Sequence, residues 1–120
     1  MDLMSRPGSE TIVLEEDGTI RSFLMLEVDR RRKAATLVTL DVLGRFRRQG
    51  DASALLSRSE EILASYGVTT YRLQVDTTND AAIAFYRKHG FETVRLLRNY
   101  YTGGRDAWEM IKKLPTGVEE

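Results

Sequence analysis

The residue pattern of this chain predicts an α/β domain with a mixed, mostly antiparallel sheet and two helices, in the order β-β-β-α-β-α-β-β. Three observations carry that prediction. The first third alternates in short extended runs joined by tight turns. The apolar period then switches to a helical one near Ala52. Two glycines, Gly67 and Gly90, stand where helical runs stop and extended ones resume.

Taken in order, Met1 to Ser9 reads as a flexible tail, because Arg6-Pro7-Gly8-Ser9 interrupts any regular element. Thr11 to Leu14, then Asp17-Gly18, then Ile20 to Val28 reads as a hairpin, since Asp-Gly accepts the positive φ angles of a two-residue turn. After the charged turn Arg30 to Lys33, a third extended run covers Ala34 to Leu43. Short connections make these three an antiparallel meander. Ala52, Leu55, Leu56, Ile62 and Leu63 fall at helical spacing, with Arg58, Glu60 and Glu61 toward water. Thr69 to Val75 is β-rich. Asp80 to His89 forms a second helix, capped by Thr78 or Asn79. Phe91 to Leu97 and Ala107 to Leu114 complete the order as two strands flanking a loop with Gly103-Gly104.

Composition narrows the function classes. The 120 residues suffice for one domain, and a hydrophobic share of 42% with 30% charged residues fits a globular protein. Lysine plus arginine and aspartate plus glutamate number 18 each, so no net field points to nucleic acid or an anionic membrane. Without cysteine there is no disulfide, thiolate metal site or cysteine nucleophile, and the lone His89 makes no metal site. No apolar run approaches the roughly 20 residues of a membrane span, and the start lacks a signal-peptide core. The expected setting is the cytoplasm. Arg30 to Lys33 reads as a solvated turn rather than a nucleic-acid patch.

Arg47-Arg48-Gln49-Gly50-Asp51-Ala52 joins a strand to a helix. A helix N-terminus presents unpaired N–H groups and a partial positive charge. A glycine there admits an anion close to the backbone, and arginines add donors, so the turn suits a phosphate or diphosphate. The same pattern also occurs as a plain solvated connection. It is not a P-loop, which ends in Gly-Lys-Ser/Thr.

With the preceding Thr39-Leu40-Asp41-Val42-Leu43 and the following Ala54-Leu55-Leu56, this turn resembles the acetyl-CoA motif of the GNAT superfamily of N-acetyltransferases. Thr78-Asn79-Asp80-Ala81-Ala82, continuing through Phe85-Tyr86 to Gly90-Phe91, is similar to the family's downstream helix. Arg98-Asn99-Tyr100-Tyr101, Gly104-Arg105-Asp106-Ala107 and Met110 resemble its ribosomal-protein-alanine acetyltransferase (RimI) branch. The resemblance implies the acyl-CoA N-acyltransferase fold, acetyl-CoA as co-substrate and a peptide or protein amine as acceptor. It implies that Leu40, Asp41 and Val42 line the pantetheine arm. It implies further that Arg47 opens the motif and that Arg48, Gln49, Gly50, Asp51, Ala52 and Ser53 hold the pyrophosphate. Asn79 would cap the second helix and contact the coenzyme.

The resemblance makes Tyr86 the general acid, a phenol of pKa near 10 facing a thiolate of comparable basicity. Core packing of Phe85-Tyr86 also fits. Gln74 occupies the position where RimI-like enzymes carry a glutamate base, and glutamine cannot take a proton. Asp76 on the same strand face, or Asp41, could relay one through water; both also fit solvated charges. Making a lysine amine neutral at pH 7 costs roughly 4.6 kcal/mol, against about 1–1.4 kcal/mol for an α-amine. A weakened base therefore suits a protein N-terminal α-amine.

Three departures from the family are visible. Its opening strand and two helices have no counterpart here, which exposes a sheet edge that a homodimer could cover. Gln74 replaces the base. Asp51 stands where an apolar residue is usual, and its charge opposes a pyrophosphate unless an arginine neutralises it. A non-catalytic acyl-CoA-binding or dimerisation module is the alternative reading, and an anion-binding regulatory subunit a third. Tyr100 and Tyr101 either wall the acceptor channel or pack as strand residues, and Trp108 reads as core or interface.

Overall fold

In the computed structural model, residues 8–44 and 50–115 are described. They form β1 (Ser9–Glu16), β2 (Thr19–Asp29), β3 (Ala34–Val42), α1 (Asp51–Ser65), β4 (Thr70–Asp76), α2 (Asp80–Lys88), β5 (Glu92–Leu97) and β6 (Ala107–Lys113). The order matches the sequence expectation element by element. The strands make one sheet in the spatial order β1-β2-β3-β4-β6-β5. Neighbours run antiparallel except β3 and β4, which are parallel.

The hairpin turn follows from its residues. Asp17 and Gly18 both take positive φ, 54° and 79°, the twist that lets β1 and β2 continue without splaying. One boundary differs from the sequence reading. Ser9 opens β1 opposite Glu27, and the Gly8 carbonyl accepts the Val28 N–H at 2.7 Å. Pairing with β2 thus extends past the Pro-Gly signal to its last residue. The rest of the expected tail lies outside the described residues.

The core follows from period. Tyr71, Leu73 and Val75 are buried on one face of β4, while Arg72, Gln74 and Asp76 alternate onto the other. Leu24, Leu26, Ala35, Leu37 and Met110 join the first face, covered by Leu55, Leu56 and Leu63 of α1 and Ile83 of α2. Each buried leucine contributes about 1.5–3 kcal/mol. The buried polar pair within this core is satisfied: Ser59 Oγ lies 2.8 Å from the Tyr71 hydroxyl and donates to the Leu56 carbonyl at 2.7 Å. Both helices are therefore anchored to the same strands whose far ends carry the site.

Candidate active site

The parallel pairing of β3 with β4 is brief. Ala34, Ala35 and Thr36 pair with Thr70, Tyr71 and Arg72, and the register ends there. Past that point each strand pairs only outward, β3 with β2 and β4 with β6. The two strands diverge and leave a cleft of about 600 Å³, lined by Leu40, Gln74, Asn79, Tyr86, Tyr101 and Arg105 among others.

Beside it lies a second cleft of about 500 Å³, where Leu40, Asp41 and Val42 of β3 meet Gly50, Asp51, Ala52 and Ser53, with Phe85 closing the side. The predicted pyrophosphate and pantetheine residues are thus brought together, except Arg47, Arg48 and Gln49, which lie outside the described residues. Gly50 caps α1 at φ 87° with no side-chain cap bond. A Cβ there would meet no atom of the described residues within 4 Å. Gly50 accepts the Ala54 N–H at 3.0 Å, and the amides of Asp51, Ala52 and Ser53 have no acceptor among the described residues. Three successive donors at a helix start, over an open glycine, fit a diphosphate.

The Asp51 carboxylate is turned out of that role. Arg21 of β2 donates Nε to Oδ2 at 2.9 Å and Nη2 to Oδ1 at 3.0 Å, and the buried Ser22 hydroxyl donates to Oδ2 at 2.9 Å. Asp51 is only 6% exposed. The Arg21 hydrogen bonds, then the Ser22 bond, hold it below the usual carboxylate range against the opposing effect of burial. The neutralising arginine comes from β2, 30 residues away in sequence.

One expectation for α2 sharpens. Asn79, not Thr78, is the cap: its Oδ1 accepts the Ala82 N–H at 3.2 Å, while Thr78 donates both backbone N–H and hydroxyl to Asp76. The His89 ring, at the end of the helix, places Nε2 3.1 Å from Ser53 Oγ. This links the end of α2 to the first turn of α1.

Tyr86 lines the larger cleft, with its ring edge-on to Phe85 (5.3 Å) and Phe91 (5.7 Å). Burial pushes its phenol up to about 12, so it is protonated at any working pH. Gln74 Oε1 accepts the Tyr100 hydroxyl at 3.3 Å. Asp76 is committed: the Thr78 backbone N–H first, then the Thr78 hydroxyl and Arg105 Nε at 2.8 Å, hold it below the usual range. Such a carboxylate is a poor proton acceptor. Asp41 is exposed on the wall of the smaller cleft.

Sequence reasoning missed one acidic group. Glu109 sits directly opposite Gln74 in the β4–β6 register, only 5% exposed, with Arg95 Nε at 2.7 Å and Arg72 Nη1 at 3.6 Å. Its alternation with Trp108 and Met110 was visible, but nothing in the sequence paired β6 with β4.

Comparison with known proteins decides the family. The model of the Acetyltransferase (GNAT) family matches residues 2–91. The chain belongs to that family. It is 33% identical over 113 residues to an N-alpha-acetyltransferase of Sulfurisphaera tokodaii, covering 85% of this chain and 68% of that one. It is 37% identical over 107 residues to the ribosomal protein bS18-alanine N-acetyltransferase of Escherichia coli, covering 88% and 70%. The crystal structure of the Escherichia coli S18-alanine enzyme superposes with a TM-score of 0.83 at 32% identity, over 95% of this chain and 74% of that one. As a GNAT acetyltransferase with these relatives, the chain is an N-acetyltransferase whose co-substrate is acetyl-CoA.

Proposed function

We propose that this GNAT protein moves the acetyl group of acetyl-CoA to the α-amine at a protein N-terminus. The observation that carries the reading is the divergence of β3 from β4, with one cleft at the Gly50 turn and a neighbouring one at Gln74 and Tyr86, Leu40 lining both. Acetyl-CoA, when bound, supplies an activated thioester. The amides of residues 51–53 would hold its diphosphate, with Arg47, Arg48 and Gln49 beside them. Leu40, Asp41 and Val42 would line the pantetheine arm, and Asn79 would meet the coenzyme while capping α2. The Tyr86 hydroxyl would deliver a proton to the departing sulfur. Its raised pKa does not disqualify it, because the surroundings that disfavour a phenolate equally disfavour a thiolate formed beside it.

Gln74 would orient the amine rather than deprotonate it: with its Oε1 bound to Tyr100, it offers hydrogen bonds and no base. That asymmetry favours the acceptor with the smaller deprotonation cost, an α-amine. The archaeal relative, an N-alpha-acetyltransferase by name, and the bacterial one, a ribosomal protein bS18-alanine N-acetyltransferase, support this choice. We further propose that the enzyme acts in the cytoplasm; no described helix is long and apolar enough to cross a membrane. A second copy is proposed to cover the outer edge of β1, which ends the sheet with Val13 40% exposed. Light scattering at the monomer mass would remove that part.

The test compares a peptide with a free N-terminus and no lysine against an Nα-blocked peptide with one lysine, both at pH 7. Turnover of the first alone is expected. Equal turnover of both overturns the acceptor assignment, and coenzyme binding without turnover of either overturns catalysis.

A further inference from the structure

We infer that Arg21 is a positioning residue of the coenzyme site and that its pairing with Asp51 sets how tightly the first turn of α1 takes a diphosphate. The inference rests on the coenzyme reading above and concerns a residue on β2 that lines neither cleft.

Two physical arguments lead to it. The first is charge. Asp51 is the first residue of α1, where the helix end attracts anions. A carboxylate and a diphosphate compete for that field and repel each other. Arg21 meets both carboxylate oxygens, and Ser22 adds a third bond from the same side. The carboxylate is thereby neutralised and drawn toward β2, leaving the amides of the turn to a ligand.

The second argument is mechanical. Asp51 stands on the α1 wall of the smaller cleft, and Val42 on the β3 wall. Ser22 pairs with Val42 in the β2–β3 register, and the Arg21 carbonyl accepts the Leu43 N–H at 2.9 Å. Consecutive β2 residues therefore hold the β3 wall through their backbone and the α1 wall through their side chains. The span between the walls is fixed by the Arg21 and Ser22 bonds to Asp51. Glu16, held by Arg21 Nη1 at 2.7 Å, orients the guanidinium from its exposed side.

The experiment measures coenzyme A binding by calorimetry, acetyl-CoA KM and kcat, and melting temperature for wild type, Arg21→Met, Arg21→Lys and the double variant Arg21→Met/Asp51→Leu. Arg21→Met leaves a carboxylate uncompensated beside the diphosphate. Coenzyme Kd and acetyl-CoA KM should rise together by roughly tenfold, while kcat at saturation falls less than about twofold. The double variant removes the stray charge and should recover affinity to within about threefold of wild type. Arg21→Lys keeps the charge and loses the two-pronged geometry, so a rise of about threefold is expected; it carries the test if Arg21→Met does not fold. Wild-type affinity in the folded Arg21 variants, or a double variant no better than Arg21→Met, overturns the inference. Failure of the wild type to bind coenzyme A at all would instead overturn the coenzyme reading.

Discussion

Gln74→Glu places a carboxylate at the position where the resemblance to RimI-like enzymes implies a base, and the structure sets both its benefit and its cost. The Tyr100 hydroxyl that donates to Gln74 Oε1 at 3.3 Å can donate equally to a carboxylate. Glu109 stands directly across in the β4–β6 register, a like charge that its pairing with Arg95 and Arg72 partly offsets. The cost is about 0.2–1 kcal/mol of stability for like charges opposed on neighbouring strands. The benefit is bounded by what the acceptor lacks. An α-amine of pKa near 7.7–8.0 needs about 1–1.4 kcal/mol to be neutral at pH 7, so a base can return at most about tenfold there. Above about pH 8 the amine is neutral unaided and the gain should fade. Thiol release from acetyl-CoA, followed with a free N-terminal peptide from pH 6 to 9, reads both numbers. A gain of equal size at pH 7 and pH 9, or none at pH 7 in a folded variant, would refute the view that deprotonation limits this enzyme.

Tyr86→Phe keeps the ring contacts with Phe85 and Phe91 and removes only the hydroxyl. Its kcat should drop by about 10²–10⁴ with little change in acetyl-CoA KM, and an unchanged kcat at every pH removes the general-acid role. Leu24→Ala empties a fully buried position under α1 and should cost about 2–5 kcal/mol in urea unfolding; a cost below about 1 kcal/mol would mean the core is misdescribed. Asp51 and Asp76 both have folded pKa values below the ordinary carboxylate range. Their contribution to stability is present above about pH 4 and is lost as pH falls through the folded values, because the unfolded chain takes the protons first. Urea midpoints should therefore decline from pH 6 to pH 2.5, less steeply in Asp51→Asn, and identical slopes would contradict the Arg21 assignment.

Local chemistry made the elements legible and left their assembly largely hidden. Asp17-Gly18 and the alternation around it gave the β1–β2 hairpin, and helical spacing from Ala52 gave α1, because each depends on neighbours a few residues apart. The insertion of β6 between β4 and β5 depends on which edges meet in space, and no local pattern encodes that. The site divides the same way. Gly50 with the α1 start, and Asn79 as a cap, could be read from backbone rules. The partners of Asp51 and Glu109 could not, since Arg21 and Arg95 reach them from other strands. The same distance hid the contact of His89 with Ser53, 36 residues away, which links the end of α2 to α1.

Among the described residues, the ladder between the β1–β2–β3 half of the sheet and the β4–β6–β5 half has three register pairs. A substrate arm carrying amides into the seam would act as an additional rung, so loading the enzyme and stiffening it become one event. Amide hydrogens along the inner edges should exchange with solvent much more slowly once coenzyme is in place. On the proposed reading, release of the spent carrier would reopen the seam and tie the turnover cycle to the breathing of the sheet itself.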